Sequence, residues 1–391
     1  MEIGDAFRGS KIKSFDEFAE FTSLKSLPTQ AFFQCYNLES IKLPDGLQSI
    51  GSFSLGATKI KSLKIPGTVT SINYSSFDSS PIEFFEVGGS SVSYHTIDGI
   101  LMSSLGKIIK YPEGKTDLSY TIREATSLGQ WSLRNTKLEH LDLGSIETID
   151  DTCIVNNSNL KSLTLGKNTG LNNFARYVTE NVALQNIYSN NDNAISIDGV
   201  LYDSSRTVMI KYPEGRDYVS MESTVKTIGP YAIYNCRSIK SDLILPDHIE
   251  VIDNNGISGL QYITGIVFNP SSKLTTVKNN GLQLSSRATY VMFPPSLKYL
   301  GSKALSMSPL IGEIKFLGNE APEISNDTFG SGSDYTGLKA SSRVIYVPTN
   351  SIGYDYDIWL NTVFNDNRIY IDTTPEPDVT YVVPFILSKT L

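Results

Sequence analysis

The sequence is poor in the residues that most often carry catalysis or bind metals. Its 391 residues include three cysteines and three histidines, and none of these stands at the spacing of a metal site. Cys35, Cys153 and Cys236 cannot all pair with one another, so we expect buried free thiols. No glycine-rich phosphate loop and no GxSxG nucleophile motif occurs. We therefore predict that the protein is not an enzyme and uses no cofactor and no metal.

Long apolar runs and basic clusters are absent as well. No segment reaches the roughly 18 consecutive apolar residues that a membrane-spanning helix needs. The formal net charge of -8 argues against a nucleic-acid partner, which requires a basic face. The opening stretch MEIGDAFRGSKIKSF lacks the apolar core of a secretory signal, so either the protein is cytosolic or a leader has been removed.

What the sequence has in abundance is a repeated phrase. LESIKLPDGLQSIGSFSLGATK begins at Leu38, IKSLKIPGTVTSINYSSFDSSP begins at Ile60, and the next unit begins at Ile82, each 22 residues after the last. The phrase returns at Leu138 and Leu160, with the same step. A short unit repeated at a fixed period is typical of a solenoid, in which each coil completes its core only by stacking on its neighbours.

The alternation within one unit predicts a short strand. Leu38, Ile41 and Leu43 are placed to point inward, whereas Ser40 and Lys42 would face solvent. Stacked coils would then share one parallel sheet along one face of the molecule.

Two stretches carry a resemblance to a known family. SLPTQAFFQCYNLESIKLP (residues 26–44) and TVKTIGPYAIYNCRSI (residues 224–239) resemble the repeat phrase of BspA-type leucine-rich repeat proteins, and the likeness extends over roughly residues 14–371. The resemblance implies a leucine-rich-repeat solenoid of α/β or mainly-β class. It also implies a secreted or surface-anchored bacterial protein of the kind associated with adhesion to host matrix or to other cells.

The ends of the chain depart from the repeat. SFDEFAEF predicts an amphipathic helix with a capping box, with Ser14 at the N-cap and Glu17 at N3, so we expect helical end caps. Trp359 is the expected plug at the other end. Whether the tail after the Pro-rich TTPEPD packs on the array, begins a further domain or is foreign to the protein stays open. The expected segments are an N-terminal cap over 1–23, the solenoid over 24–346, a C-terminal cap over 347–372, and a linker and tail over 373–391.

One further segment occurs twice. IDGILMSSLGKIIKYPEG begins at Ile97 and IDGVLYDSSRTVMIKYPEG begins at Ile197. In both, two apolar runs flank a small polar turn, so we predict β-hairpins inserted into the array near 94–115 and 194–216. We expect the charged residues of both copies to be solvated and to have no catalytic role: Lys110, Glu113, Lys211 and Glu214.

The outward-facing strand positions of the later coils are unusually apolar. Either a terminal segment covers these residues or they form a contact patch; a wrong repeat register is the remaining alternative. We predict the contact patch, with these members: Ile244, Val267, Tyr290, Met292, Tyr188 and Tyr346.

These observations favour a binding protein over an enzyme. We expect a non-enzymatic cell-surface or secreted protein that presents its repeat surface to a protein or glycan on host or neighbouring cells. One alternative is a structural spacer of the cell envelope. A weaker one is a carbohydrate-active enzyme built on a solenoid, which would need a cleft that brings acidic residues together.

Overall fold

The chain folds as a parallel β-solenoid, and the predicted fold class is confirmed in this respect. Successive coils are joined by backbone hydrogen bonds at the 22-residue step, as where the Glu83 N–H donates to the Lys61 carbonyl at 2.7 Å. The expected linker and tail over 373–391 lie outside the described residues. The computed structural model describes residues 3–89, 91–283, 287–306, 310–329, 344–356 and 359, and the backbone of 363–364, 367–368 and 370–372.

One column of parallel strands forms what we name the front face. It follows the predicted alternation, since Leu38, Ile41 and Leu43 are buried whereas Lys42 is exposed and Ser40 is half-buried. The column comprises Ser14–Phe15, Ser40–Ile41, Ser62–Ile65, Phe84–Val87, Ser119–Thr121, His140–Asp142, Ser162–Leu165, Asn186–Ser189, Leu243–Ile244, Gly265–Val267, Tyr290–Phe293, Glu313–Phe316, Val344–Tyr346 and Tyr370–Asp372.

A second column, the side face, follows the turn after each front strand. Its strands are two to four residues long, and each contributes one apolar side chain that is buried in the core or, at Ile72 and Ile149, packs half-buried against it. They are Ser26–Leu27, Ser49–Ile50, Ser71–Ile72, Lys107–Lys110, Ser127–Leu128, Thr148–Ile149, Val208–Lys211, Thr227–Ile228, Val251–Ile252, Thr276–Val277, Tyr299–Leu300 and Glu323–Ile324.

The described helices are short: a 3-10 helix over Asp16–Glu20 and an α-helix over Phe174–Tyr177.

A third column of strands, the back face, closes many of the coils. The back-face strands are Leu133–Arg134, Ile154–Val155, Val178–Thr179, Ile233–Tyr234, Ile257–Ser258 and Leu282–Gln283.

The predicted hairpins are present, and each is extended by one strand into an antiparallel three-stranded meander. In the first, Asp98 (φ 52°) and Gly99 (φ 75°) both adopt left-handed conformations, as a two-residue type I′ turn requires. The third strand then pairs in parallel with Ser127–Leu128, so it is also a rung of the side face. The antiparallel strands of the first meander are Tyr94–Ile97, Ile100–Ser103 and Lys107–Lys110, and those of the second are Ala194–Ile197, Val200–Asp203 and Val208–Lys211. Outside the inserts, Val363–Phe364 pairs antiparallel with Asn367–Arg368.

The buried apolar side chains form three clusters along the chain. The first extends from Phe18 to Leu101, the second from Ile100 to Leu201, and the third from Val200 to Trp359. Neighbouring clusters meet at the two meanders, where consecutive residues of one strand belong to different clusters. The inserts therefore divide a core that the repeat alone would make continuous.

The prediction of helical end caps is wrong. Ser14–Phe15 is a strand that pairs with Ser40–Ile41, and the Ser14 hydroxyl lies 2.8 Å from the Ser40 hydroxyl instead of capping a helix. Only Asp16–Glu20 is helical, as a 3-10 turn without a side-chain cap. Pairing with the first coil satisfies backbone groups that a helix would satisfy internally, and so it overrides the local capping signal.

Aromatic packing closes both ends instead. Phe18 is fully buried at the first coil, where its ring lies 5.2 Å from that of Phe32. At the other end Trp359 is buried, with its ring 5.4 Å from Phe316 and 4.9 Å from Tyr354. Aromatic rings thus cover both ends of the core, and at the N-terminal end they do so without the predicted amphipathic helix; most of the residues around Trp359 lie outside the described ranges.

Candidate functional site

The sequence-predicted contact patch lies mainly on the last sheet of the front face. Its register places Ile244 beside Val267, Val267 beside Met292, and Tyr346 two strands further on, beyond Lys315. Ile244 and Val267 are half-buried, and Met292 is 9% exposed. The three apolar side chains therefore form a line across adjacent coils, and only a small area of each side chain is exposed.

Tyr290 and Tyr188 occupy different surroundings. Tyr290 lies across the neighbouring strand, because a Cβ on Gly265 would come within 2.5 Å of its ring, and its hydroxyl donates to the Asp242 carboxylate. Tyr188 is 49% exposed on Asn186–Ser189, a strand of another sheet. The structure thus brings five of the six predicted residues onto one sheet and leaves Tyr188 apart.

A second surface, which the sequence analysis missed, is a groove of about 500 Å³ beside the back face. We name it the aromatic–arginine groove. It brings together residues that lie a hundred positions apart in the chain, because equivalent turns of the repeat stack on one side. Its main lining residues are Trp131, Arg134, Asp151, Arg176, Tyr231 and Tyr234.

The two large rings of the groove stand at equivalent positions of the repeat. Trp131 (φ 55°) and Tyr231 (φ 56°) each precede the first buried residue of a back-face turn, and Phe53 (φ 52°) occupies the same position in an earlier coil. Large side chains are uncommon in the left-handed region. The recurrence of aromatic residues at this position of the repeat is the signal that could have revealed the groove.

Trp131 and Arg134 form one wall of the groove and are held by an ion pair, a ring contact and a hydrogen bond. The Arg134 guanidinium lies 4.2 Å from the centre of the Trp131 ring and 3.1 Å from the Asp78 carboxylate. The indole N–H of Trp131 donates to the Thr152 hydroxyl at 3.1 Å. An arginine that is both stacked and paired keeps a defined orientation, so this wall is rigid.

The opposite wall, formed by Arg176, Tyr231 and Tyr234, also combines an arginine with an acidic partner and aromatic rings. Arg176 pairs with Asp151 at 3.3 Å, and its guanidinium lies 6.0 Å from the Tyr231 ring. The Tyr231 and Tyr234 rings meet edge to face at 5.4 Å. Burial raises the pKa of Tyr234, whose phenol is hydrogen-bonded to the Asn235 side chain.

The acidic residues of the groove are engaged with arginines rather than with each other. Asp151 pairs with Arg176, and Glu180 lies 4.0 Å from Arg237. In the part of the chain that the structure describes, no group of three or more His, Cys, Asp or Glu residues is arranged to hold a metal ion. Nor do the described helices include one with the length and apolarity to cross a membrane.

The three thiols are free and buried, which confirms the expectation from their spacing. Burial raises the pKa of Cys153 and of Cys236 far above the ordinary thiol value, and it also raises the pKa of Cys35. Such thiols behave as small apolar core residues.

The expectation that the charged residues of the inserts are solvated is wrong. Lys110 and Glu113 form an ion pair of 2.6 Å with exposures of 2% and 8%, and Lys211 and Glu214 form one of 2.8 Å that is fully buried. The third strand of each meander, Lys107–Lys110 or Val208–Lys211, ends at a buried lysine. The glutamate three residues later is buried as well, so the two side chains meet in the core. Desolvation raises the pKa of both glutamates. The segment KYPEG, with both charges, is identical in the two copies, whereas the turns that precede it differ. This identity is a signal that the hairpin pattern alone obscured.

Comparison with known proteins gives a family match and several structural neighbours. The sequence model of a family described as "BspA type Leucine rich repeat region" matches in six copies, over residues 3–97, 118–207 and 216–348. Both buried Lys–Glu pairs lie in the unmatched stretches between those ranges. No curated protein matches the sequence.

Three solved structures illustrate the likeness. The pneumococcal vaccine antigen PcpA is 16% identical, with 94% of this chain and 72% of that chain covered at a TM-score of 0.31. A leucine-rich repeat protein from Eubacterium ventriosum is 15% identical, with coverages of 85% and 73% and a TM-score of 0.35. A leucine-rich cell surface protein from Faecalibacterium prausnitzii is 13% identical, with coverages of 92% and 83% and a TM-score of 0.34.

Proposed function

Because the chain belongs to the BspA-type leucine-rich repeat family, we propose that it is a non-enzymatic cell-surface or secreted protein that binds a macromolecular partner through its repeat surface. The observation that carries this proposal is the aromatic–arginine groove. The partner we favour is a protein on host or neighbouring cells, and a glycan is the alternative.

The composition of the groove supports a protein partner. Trp, Tyr and Arg are the residues most enriched at the positions that dominate the energy of protein interfaces. Here Trp131 and Arg134 are held by hydrogen bonds and ion pairs before any partner arrives, so little conformational entropy is lost on binding. The groove thus combines large contact area with preformed orientation.

The front-face patch is the second proposed contact area. Ile244, Val267 and Met292 lie side by side in adjacent strands, and apolar residues in register on an open sheet face are typical of contact surfaces. Their limited exposure makes this area secondary to the groove.

The test is a binding screen followed by paired variants. The purified protein is titrated against matrix proteins and against glycans, and dissociation constants are measured for each ligand that binds. Tyr231→Ala combined with Arg176→Ala is expected to weaken protein binding at least thirtyfold, which corresponds to about 2 kcal/mol for an interface hot spot. Tyr36→Ala, at a 59% exposed tyrosine outside the groove, is the matched control and should leave affinity unchanged.

The other outcomes discriminate the alternatives. Undiminished binding in the double groove variant excludes the groove, and Val267→Lys then tests the front-face patch. Binding to glycans alone excludes a protein partner. The absence of any binding would favour the structural spacer of the cell envelope.

A further inference from the structure

The first buried ion pair, Lys110–Glu113, has a side-chain carboxamide in contact with its carboxylate. Lys110 Nζ donates to Glu113 Oε1 at 2.6 Å, and the side-chain amide of Asn135 donates from Nδ2 to Glu113 Oε2 at 3.2 Å. The backbone N–H of Ser79 also donates to Oε2, at 3.1 Å. One carboxylate therefore holds an amine and a carboxamide against its two oxygens, in a site where Lys110 is 2% exposed.

The carbonyl of the same carboxamide is also engaged. Asn156 Nδ2 donates to Asn135 Oδ1 at 2.5 Å. The nitrogen of the Asn135 amide thus faces a proton donor and acceptor, Glu113, whereas its oxygen faces a hydrogen-bond donor. The site thus collects, around one bridging carboxylate, the groups that acyl transfer uses: a nucleophile, an acid–base group, an electrophilic carbonyl and a donor to the carbonyl oxygen.

We propose that Lys110 and Asn135 join in an intramolecular amide bond whose formation Glu113 promotes. Glu113 takes a proton from the Lys110 ammonium, and the neutral Nζ attacks Cγ of Asn135. Asn156 stabilises the negative charge that develops on Oδ1. Glu113 then passes this proton to Nδ2 and accepts a second proton from the Nζ that is now bonded to Cγ. The Cγ–Nδ2 bond breaks, and the departing ammonia takes up the second proton and leaves as ammonium. One C–N bond forms and one breaks, so no oxidant, reductant or cofactor is needed.

The surroundings of Glu113 assist this step in two ways. Desolvation raises the pKa of Glu113, which makes its carboxylate a better acceptor for the lysine proton. Glu113 also holds the Lys110 amine and the Asn135 carboxamide on its two oxygens, and this proximity lowers the entropic barrier that otherwise limits the reaction of an amine with an amide.

The second insert provides an internal control. Asn235 occupies the position equivalent to Asn135, but its Nδ2 donates to the Thr179 hydroxyl at 3.2 Å. Glu214 Oε2 instead accepts the backbone N–H of Asn181 at 2.6 Å. The carboxamide is held by Thr179 rather than by Glu214, so we expect Lys211 and Glu214 to remain an ion pair.

The decisive experiment is intact-mass spectrometry of the purified full chain under denaturing conditions. The expected mass is below the sequence mass by one molecule of ammonia. Tryptic digestion should then yield residues 108–115 joined to residues 135–137. A mass equal to that of the sequence overturns the proposal without any variant, and so does an ammonia loss that occurs without the joined peptide.

Matched variants assign the roles. Glu113→Gln and Lys110→Arg should both restore the full sequence mass. Glu214→Gln and Lys211→Arg should leave the loss of one ammonia unchanged. Retention of the ammonia loss in Glu113→Gln would exclude Glu113 as the promoting group.

Discussion

At the residue scale, left-handed backbone positions shape the turns of this solenoid. The two insert turns differ at one of them: the first has Gly106 (φ 75°) where the second has Arg206 (φ 61°). Glycine adopts this conformation without the contact between Cβ and the backbone that other residues incur.

We predict that Gly106→Ala lowers the free energy of unfolding by about 1 kcal/mol. The cost would be conformational, because an added Cβ would meet nothing nearer than the Thr126 hydroxyl at 3.4 Å. Arg206→Gly should change stability in the opposite direction by a similar or smaller amount. Urea denaturation measures both, and a neutral Gly106→Ala would contradict the argument.

The second buried ion pair leads to another residue-scale prediction. Lys211→Met should lower the free energy of unfolding by about 3–5 kcal/mol, because it leaves the Glu214 carboxylate buried without its cation. Adding Glu214→Gln should recover most of the loss, since the amide oxygen still accepts the Asn181 N–H and carries no charge.

The control for this pair is Lys61→Met, which removes one partner of the exposed Lys61–Glu83 pair. It should change stability little, because solvent screens surface ion pairs. Equal losses in Lys61→Met and Lys211→Met would show that burial is not the cause.

At the scale of elements, the inserts bring phenol groups into the core as well as charges. Tyr111, Tyr202 and Tyr212 are fully or almost fully buried, and all three have raised pKa values for which burial is the first cause. The 22-residue period predicted where the strands of the solenoid begin. It did not indicate that the last strand of each insert would lead its Lys, Tyr and Glu side chains into the core. The failed N-terminal helix has a similar origin, since pairing with the next coil decided the conformation of Ser14–Phe15.

This packing predicts alkaline unfolding that starts at the inserts. Burial raises the pKa of Tyr202 to about 12, above the value of about 10 in an unfolded chain. Because the folded pKa is the higher one, the stability that the neutral phenol contributes is complete below about pH 10 and is lost as the pH rises through about 12.

Tyrosinate absorbance and circular dichroism, recorded together from pH 9 to 13, provide the measurement. The buried phenols of Tyr111, Tyr202 and Tyr212 should ionise together with the loss of the fold. Tyr202→Phe should move the unfolding transition to higher pH. A single early titration of all tyrosines would contradict the burial of the inserts.

At the scale of the whole molecule, the three apolar clusters make the solenoid a row of linked units. Contacts pass from each coil to its neighbours, and stability in such arrays is approximately a sum of local terms. The meanders interrupt this row twice, so we expect each cluster to respond to a core mutation largely on its own.

We predict that Ile266→Ala, in the third cluster, lowers stability there by about 2–5 kcal/mol through lost burial and a cavity. Hydrogen exchange measured by mass spectrometry should show faster exchange in residues 200–329 and unchanged exchange in residues 18–89. Leu141→Ala, in the second cluster, is the matched variant. Faster exchange throughout the chain in either variant would show one cooperative core instead.

The sequence by itself determined the solenoid, its step, the site of each insert and the burial of the thiols. The solenoid and its step follow from apolar spacing within single units, because a side chain that recurs at one point of a coil must face the same interior. The inserts follow from a segment that occurs twice, and the thiols from cysteines too few and too far apart to form a metal site or to pair fully. The family assignment follows from the same repetition.

Only the tertiary structure decided which side chains meet between units. Trp131 and Tyr231 share a groove, Lys110 and Glu113 lie beside Asn135, and Tyr188 is separated from the rest of the predicted patch. Each of these outcomes depends on how coils stack across an insert, and the inserts break the period from which register would otherwise be read. Local periodicity specifies the direction in which a residue points, whereas its partners are set by three-dimensional stacking.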